Sequence, residues 1–308
     1  MPGFATSSPT SAILATAVLP WTENYEFDEA SFERQVRTIA AQLTRHIYIF
    51  GTAGEGYAVS DAQFLRIARV FRQCARECGA EPMLGVISLS LPTIVERIAA
   101  GRELGFREFQ LSLPAWGTLQ DGEVDRFFAE TCGRFPDCRF LHYNLARAGR
   151  VLQAGDYVRL IAAHPNLTAI KMSPRDPAVI ATLMALAPRL RCYFTEFAYA
   201  VARRIGPCGL LASLSTVHPE RAHEFVATGD ERRAELMGEL ETVAGTLAGL
   251  GRHRFHIDGA FDKLLYRTHD PVFPLRLLPP YASATEADFA QFSSALPPSW
   301  RRLDANFS

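Results

Sequence analysis

A chain of 308 residues with 32 basic and 33 acidic side chains, net charge −1, offers no basic stripe for nucleic acid and no polybasic segment for a membrane surface. Apolar residues make up 48% of it, enough for a large core, yet no apolar run approaches the roughly 20 residues needed to span a bilayer. Among the basic residues only Lys171 and Lys263 are lysines and the rest are arginines.

Residues 1–11 lack a charged stretch followed by an apolar one, so they are expected to form a short disordered lead rather than a signal peptide. From residue 12, eight short apolar runs follow one another: "AILATAVLP", "HIYIFG", "PMLGVISLS", "EFQLSLP", "RFLHYN", "LTAIKM", "CYFTE" and "GLLASLS". Most are too short for helices and are rich in Ile, Leu, Val, Phe and Tyr, which predicts buried strands. Between most of them lie amphipathic stretches. "DEASFERQVRTIAAQL" places Ser31, Val36, Ile39 and Leu43 at helical spacing after a capping Asp28. "DAQFLRIARVFRQCARECG", "TIVERIAAGRELG", "EVDRFFAETCGRF" and "AGDYVRLIAAH" follow, several of them ending at Gly as helices tend to. Eight strands alternating with helices predict parallel pairing through right-handed crossovers, and the count favours a closed (β/α)₈ TIM barrel over 12–217.

After residue 217 the strand pattern stops. Residues 219–250 and 255–269 read as helices, 270–281 as a proline-rich connector and 284–296 as a last helix. The segment 218–308 is therefore expected to be a C-terminal helical extension.

In such a barrel the active site lies at the C-terminal ends of the strands. Lys171 stands there, closing the sixth run "LTAIKM". A lysine in that place could pair with a buried carboxylate or snorkel to the rim. It could also be an amine nucleophile, since burial disfavours the ammonium and a neutral amine attacks a ketone to form a Schiff base. Arginine cannot do this because it stays protonated. Tyr143 closes the fifth run and is either a half-buried packing residue or a general acid–base. "FGTAGEGYAVS" follows the second run with a G-x-x-G-x-G spacing that is neither the dinucleotide fingerprint nor the P-loop. It reads as a plain turn or as one whose N–H groups and Thr52 hydroxyl face a carboxylate; Glu55 would repel a phosphate. Arg147 and Arg150 follow Tyr143, either as solvated side chains or as carboxylate-binding forks, with Arg147 nearer the strand end.

The six cysteines, at 74, 78, 132, 138, 192 and 208, form no C-x-x-C pair and complete no zinc spacing. They are expected to be reduced structural thiols, which favours a cytoplasmic location. A metal-dependent aldolase would have only His142 and Glu196 as strand-end ligands, and strand alternation points His142 away from Tyr143. No metal is expected.

The ordered set "GTAGEG", "YN" after the fifth strand, "IK" at the end of the sixth, "GLLASLSTVHPE" and "FPLRLLPP" resembles the dihydrodipicolinate synthase/N-acetylneuraminate lyase family over about residues 12 to 280. The resemblance implies a barrel with a helical extension, assembled as a homotetramer or homodimer. It implies a Schiff base between Lys171 and pyruvate or another 2-oxo acid, with no separate cofactor, and Tyr143 as the proton shuttle. Substrate contacts would come from Thr52, Ala53 and Glu55 in the turn, from Ser213 in the eighth-strand segment, from Trp116, and from Arg147 as counterpart of the family's arginine.

The chain also departs from the family pattern. Ala53 replaces a hydroxyl residue, which by resemblance removes one member of the relay from Tyr143. Ala115 and Trp116 follow Pro114 where the synthases have two tyrosines, the loop carrying Arg147 is one residue shorter, and Met172 replaces an acidic residue. These changes favour an aldolase or hydro-lyase acting on a 2-oxo acid, with room beside Trp116 for a bulky aldehyde portion. A true dihydrodipicolinate synthase and a catalytically retired barrel with a binding role stay as alternatives.

Overall fold

A computed structural model describes residues 13–252 and 254–301; the lead expected at 1–11 lies outside these residues, as does 302–308 of the extension. Eight parallel strands close a barrel in sequential order: β1 Ile13–Thr16, β2 His46–Ile49, β3 Glu81–Gly85, β4 Glu108–Leu111, β5 Arg139–Tyr143, β6 Leu167–Met172, β7 Arg191–Phe194 and β8 Gly209–Ala212, with β8 pairing β1. Each lies within or overlaps one of the eight apolar runs.

Helices α1 Glu29–Gln42, α2 Asp61–Cys78, α3 Leu91–Glu103, α4 Asp121–Phe128 and α5 Ala154–Ala163 form where the amphipathic stretches predict them. Their ends follow from side-chain chemistry. Asp28 accepts from the Ser31 amide, Ser60 and Gln63 form a reciprocal capping box, and Gly79 ends α2 in the left-handed region. Two further helices, α6 Pro177–Met184 and α7 Glu196–Ala202, were not singled out by the sequence. Both are short, and "PAVIATLM" is apolar on all sides, so neither shows a helical stripe.

Strand alternation divides the strand side chains into two sets. Leu14, Tyr48, Met83, Leu141, Ala169, Tyr193 and Leu211 point inward and fill the barrel interior as one apolar cluster. Ile47, Ile49, Leu84, Phe109, Phe140, Ile170 and Phe194 point outward and pack with Phe64, Ile67 and Phe71 of α2 and the other helices. Each such buried side chain contributes roughly 1.5–3 kcal/mol. Both faces of a parallel sheet are thus apolar, which is why its strands read as unbroken apolar runs. At the N-terminal ends of the strands, a His46–Glu81 contact at 3.0 Å and an Arg139–Glu108 ion pair link neighbouring strands at the barrel floor.

Past β8 come α8 Pro219–Ala227, α9 Asp230–Gly251, α10 Asp258–Arg267 and α11 Glu286–Ala295. The boundary expected at 217 falls between β8 and α8. Helix α10 returns to the C-terminal mouth of the barrel, where Gly259 lies so close to the Ala53 carbonyl that a Cβ there would stand 2.9 Å from it. All six cysteines are free thiols. Among the described residues no helix is long and apolar enough to cross a membrane.

Candidate active site

The mouth of the barrel holds a cavity of about 340 Å³. Lys171 reaches it from β6 and Tyr143 from β5, and the two residues are paired across the strands. Lys171 is buried. Its Nζ donates to the Tyr48 hydroxyl at 2.7 Å and to Gln110 Oε1 at 3.2 Å. It stands 3.9 Å from the centre of the Tyr143 ring and 4.2 Å from that of Tyr48. Burial lowers the Lys171 pKa to about 7, with Asp258 and Asp262 pulling the other way. A neutral amine has two N–H bonds and one lone pair. With both N–H bonds given to Tyr48 and Gln110, the lone pair is left for a carbon electrophile.

Tyr143 is pushed up to about 12 by burial, with Asp258 adding to the rise and Arg147 and a hydrogen bond with the Thr52 side chain opposing it. Tyr48 is raised well above its ordinary value, chiefly by burial. Both phenols therefore stay protonated at neutral pH and serve as donors rather than bases.

The turn after β2 owes its shape to backbone geometry. Phe50 and Glu55 both sit at positive φ, and the Gly56 amide donates to the Gly51 carbonyl at 3.2 Å. Gly56 is packed directly on the Phe50 carbonyl, where any Cβ would collide. Thr52 and Ala53 line the cavity. The amides of Thr52, Ala53 and Gly54 make no backbone hydrogen bond among the described residues, which leaves them as donors for an anion.

The structure gathers Lys171, Tyr143, Thr52, Ala53 and Ser213 around one cavity and leaves three expected contacts outside its lining. Glu55 is buried beneath the turn instead. Its Oε1 accepts from Trp21 Nε1 at 3.0 Å and Lys263 Nζ at 2.6 Å, and its Oε2 from the Leu278 amide at 2.7 Å. This carboxylate ties the turn to the extension and stands outside the cavity lining. Trp116 is 89% exposed on the loop after β4, so within this chain it shapes no room for an aldehyde portion. Arg147 is an exposed side chain turned onto Asp258 at 3.2 Å, away from a free carboxylate-binding position.

Ala53 carries no hydroxyl, and Thr52 keeps one beside Tyr143. The Tyr143–Thr52 contact is present, and the relay lacks only the second hydroxyl that the family has at residue 53. His142 faces the helices, with Nδ1 2.7 Å from the Tyr157 hydroxyl and its ring against Phe128, while Glu196 accepts from the Ser213 and Ser215 amides. The two side chains do not face one another as metal ligands would.

Sequence reasoning missed Tyr48, Gln110, Asp258 and Asp262. The first two lie on strands at inward positions, a reading available from alternation alone. Asp258 and Asp262 stand four apart in "DGAFDKLLYRTH", which puts both on one face of α10, and both line the cavity.

The model of the dihydrodipicolinate synthetase family matches residues 9–248. The chain is 25% identical over 238 residues to a 4-hydroxy-tetrahydrodipicolinate synthase of an Exiguobacterium species, covering 75% of this chain and 77% of that one. In fold it is similar to YagE of E. coli K12, a prophage protein of the dihydrodipicolinic acid synthase family solved with pyruvate: TM-score 0.80, 14% identity, 92% of this chain and 97% of that one. It is also similar to CdNal of Clostridium difficile, solved with mannosamine: TM-score 0.78, 16% identity, with the same coverage of 92% and 97%. With a family match across most of its length and the same barrel, the chain belongs to the dihydrodipicolinate synthetase family and, with it, to the class I aldolase-type lyases.

Proposed function

We propose that this lyase binds pyruvate or another 2-oxo acid as a Schiff base on Lys171 and cleaves or dehydrates a 2-oxo acid whose remaining portion is uncharged. The observation that carries the reading is the state of Lys171: buried, lowered to about 7, and with both N–H bonds occupied at the edge of an open cavity. The substrate carboxylate lies against the Thr52 hydroxyl and the amides of residues 52–54, and Tyr143 donates the proton that the carbinolamine oxygen needs to leave as water. No cofactor takes part, because the lysine itself is the electron sink once it is an iminium.

Two features argue for an uncharged leaving portion. Arg147, the counterpart of the family's arginine, is paired with Asp258 and so is not free for a second substrate carboxylate. Asp258 and Asp262 make that side of the cavity acidic. A second reading, 4-hydroxy-tetrahydrodipicolinate synthase, draws on the name of the curated relative, and the tyrosines it would use after Pro114 are replaced by Ala115 and Trp116. A panel assay separates the two. Pyruvate release from 4-hydroxy-2-oxo acids with neutral aldehyde portions is expected, with no condensation of pyruvate and aspartate semialdehyde. Condensation faster than any cleavage would overturn the choice. We also propose a cytoplasmic enzyme, from the free cysteines, and a homotetramer or homodimer in which the exposed Trp116 is covered by a second copy.

The capture of pyruvate should depend on pH with a definite sign. Below about 7 Lys171 is an ammonium without a lone pair; above it the amine is free. At low pyruvate concentration the rate of adduct formation should therefore rise with pH and level off above about 7, falling about tenfold per unit on the acid side. A flat profile between pH 5 and 8, followed by stopped-flow or quenched borohydride trapping, would contradict the assignment.

A further inference from the structure

Four carboxylates surround the mouth of the barrel, and three are committed. Glu55 is held by Lys263, Trp21 and Leu278, Glu196 by Ser213 and Ser215, and Asp258 by Arg147. The Asp262 carboxylate, on α10, makes no hydrogen bond or ion pair with any described residue, and it lines the same cavity as Lys171. We propose that Asp262 is the base that takes a proton from C3 of the 2-oxo acid once its C2 is bound to Lys171, and the acid that returns one. This rests on the Schiff-base reading of Lys171. Helix α10 lies beyond the residues matched by the family model, so the assignment comes from this chain's own geometry.

The step balances as follows. The neutral Lys171 amine adds to C2, and the carbinolamine oxygen leaves as water with a proton from Tyr143, which is reprotonated from solvent, giving an iminium. The Asp262 carboxylate removes one C3 proton. The C3–H electron pair becomes the C2=C3 double bond, and the C=N π electrons move to nitrogen, giving a neutral enamine and a protonated Asp262. The same proton, or one exchanged with solvent, goes back to C3 in the reverse direction. The other protic groups near Lys171 are unsuited to the task, because the Tyr48 and Tyr143 phenols hold their protons at neutral pH. Asp262 is itself pushed up to about 7 by burial and by Asp258 and Glu196, with Lys171 opposing. A carboxyl so placed is matched in basicity to proton transfer near neutral pH.

A second observation supplies the route for the proton. Behind Asp262, between α1 and α10, lies a smaller cavity of about 30 Å³ that Asp262 also borders, together with Thr16, Thr38 and His269. That volume is enough for a water. Gln35 lines the same space, and its Oε1 is buried with no protein partner among the described residues, an acceptor that a water there would meet. Asp262 thus stands between the substrate cavity and a small, mostly apolar recess in which the unpartnered Gln35 Oε1 offers a water an acceptor, a place from which a proton can be traded with solvent.

The test uses pyruvate as probe in D₂O. Loss of its methyl proton signal by NMR reports C3 exchange, and borohydride trapping reports the Schiff base. The wild-type protein should do both. Asp262→Asn should form the adduct on Lys171 to the same extent while exchange falls by about 100-fold or more. Asp262→Ala, made in parallel in case the amide variant misfolds, should show the same split, and added formate should recover exchange. Exchange within a few-fold of wild type in either variant overturns the proposal. Loss of adduct and exchange together also overturns it, because Asp262 would then act on Lys171 and not on carbon. A wild-type adduct without exchange overturns the proposal and leaves the Schiff-base reading standing. No wild-type adduct with pyruvate or a 2-oxo acid panel removes both.

Discussion

Lys263→Ala is expected to cost about 3–5 kcal/mol of folding stability, because it leaves a buried carboxylate without its cation. Lys263 and Glu55 are both buried, 2.6 Å apart, and Lys263 also donates to the Arg276 carbonyl. Burial lowers the Lys263 pKa, and Glu55 opposes that shift by favouring the charged form. After truncation Glu55 keeps only Trp21 and the Leu278 amide. In a domain whose whole margin is about 5–15 kcal/mol, that loss is large. The double variant Glu55→Leu with Lys263→Met should recover much of the stability, since well-packed apolar replacements of a buried pair are often tolerated. The Thr52 turn, however, would lose its tie to the connector 270–281. Urea unfolding midpoints decide: a loss under about 1 kcal/mol for Lys263→Ala would show that the pair contributes little.

The fold was legible because a closed parallel barrel writes its strands as separate short apolar runs, and all eight strands form within or across those runs. What was not legible has physical causes. Helices α6 and α7 are too short or too uniformly apolar to show a stripe. The role of Glu55 could not be read because its partners, Lys263 and Leu278, lie more than 200 positions away and meet it only when the extension folds back. The same return brings Asp258 and Asp262 to Lys171. A resemblance centred on strand ends gives no warning of acids arriving from a helix after the barrel. Lys171 and Tyr143 were legible since adjacent strand ends must converge. Whether Trp116 reaches its own chain's cavity was not legible because a loop residue's direction is not fixed by strand alternation; it does not.

The second large effect is at Lys171. Lys171→Arg should abolish covalent capture of pyruvate and reduce any lyase turnover by on the order of 10⁴-fold or more, since a guanidinium keeps its proton. Lys171→Met should be equally inactive yet at least as stable. The sign follows from the shift: the unfolded lysine holds its proton up to about 10.5 and the folded one only to about 7. Folding therefore opposes the charged form most strongly at and below pH 7, and that cost fades as pH rises towards 10.5. The gain in Lys171→Met should be largest at pH 7 and below and vanish in alkaline solution; the attraction of Asp258 and Asp262 is already contained in the shift to about 7. Thermal melts of both variants across that range, compared with wild type, check the sign. A variant less stable than wild type at pH 7 would show that the attraction of the two carboxylates exceeds the cost of burial.

Both lysines of an otherwise arginine-written chain are thus buried, one as a cation paired with a carboxylate and one as an amine at the cavity. The central claim concerns the second. The most direct measurement is to incubate the protein with pyruvate, reduce with borohydride and map the product by peptide mass spectrometry. The account predicts one reduced pyruvyl adduct, on Lys171, absent from Lys171→Arg. An adduct on Lys263 in its place, or no adduct with pyruvate and a panel of other 2-oxo acids on folded protein, would contradict it.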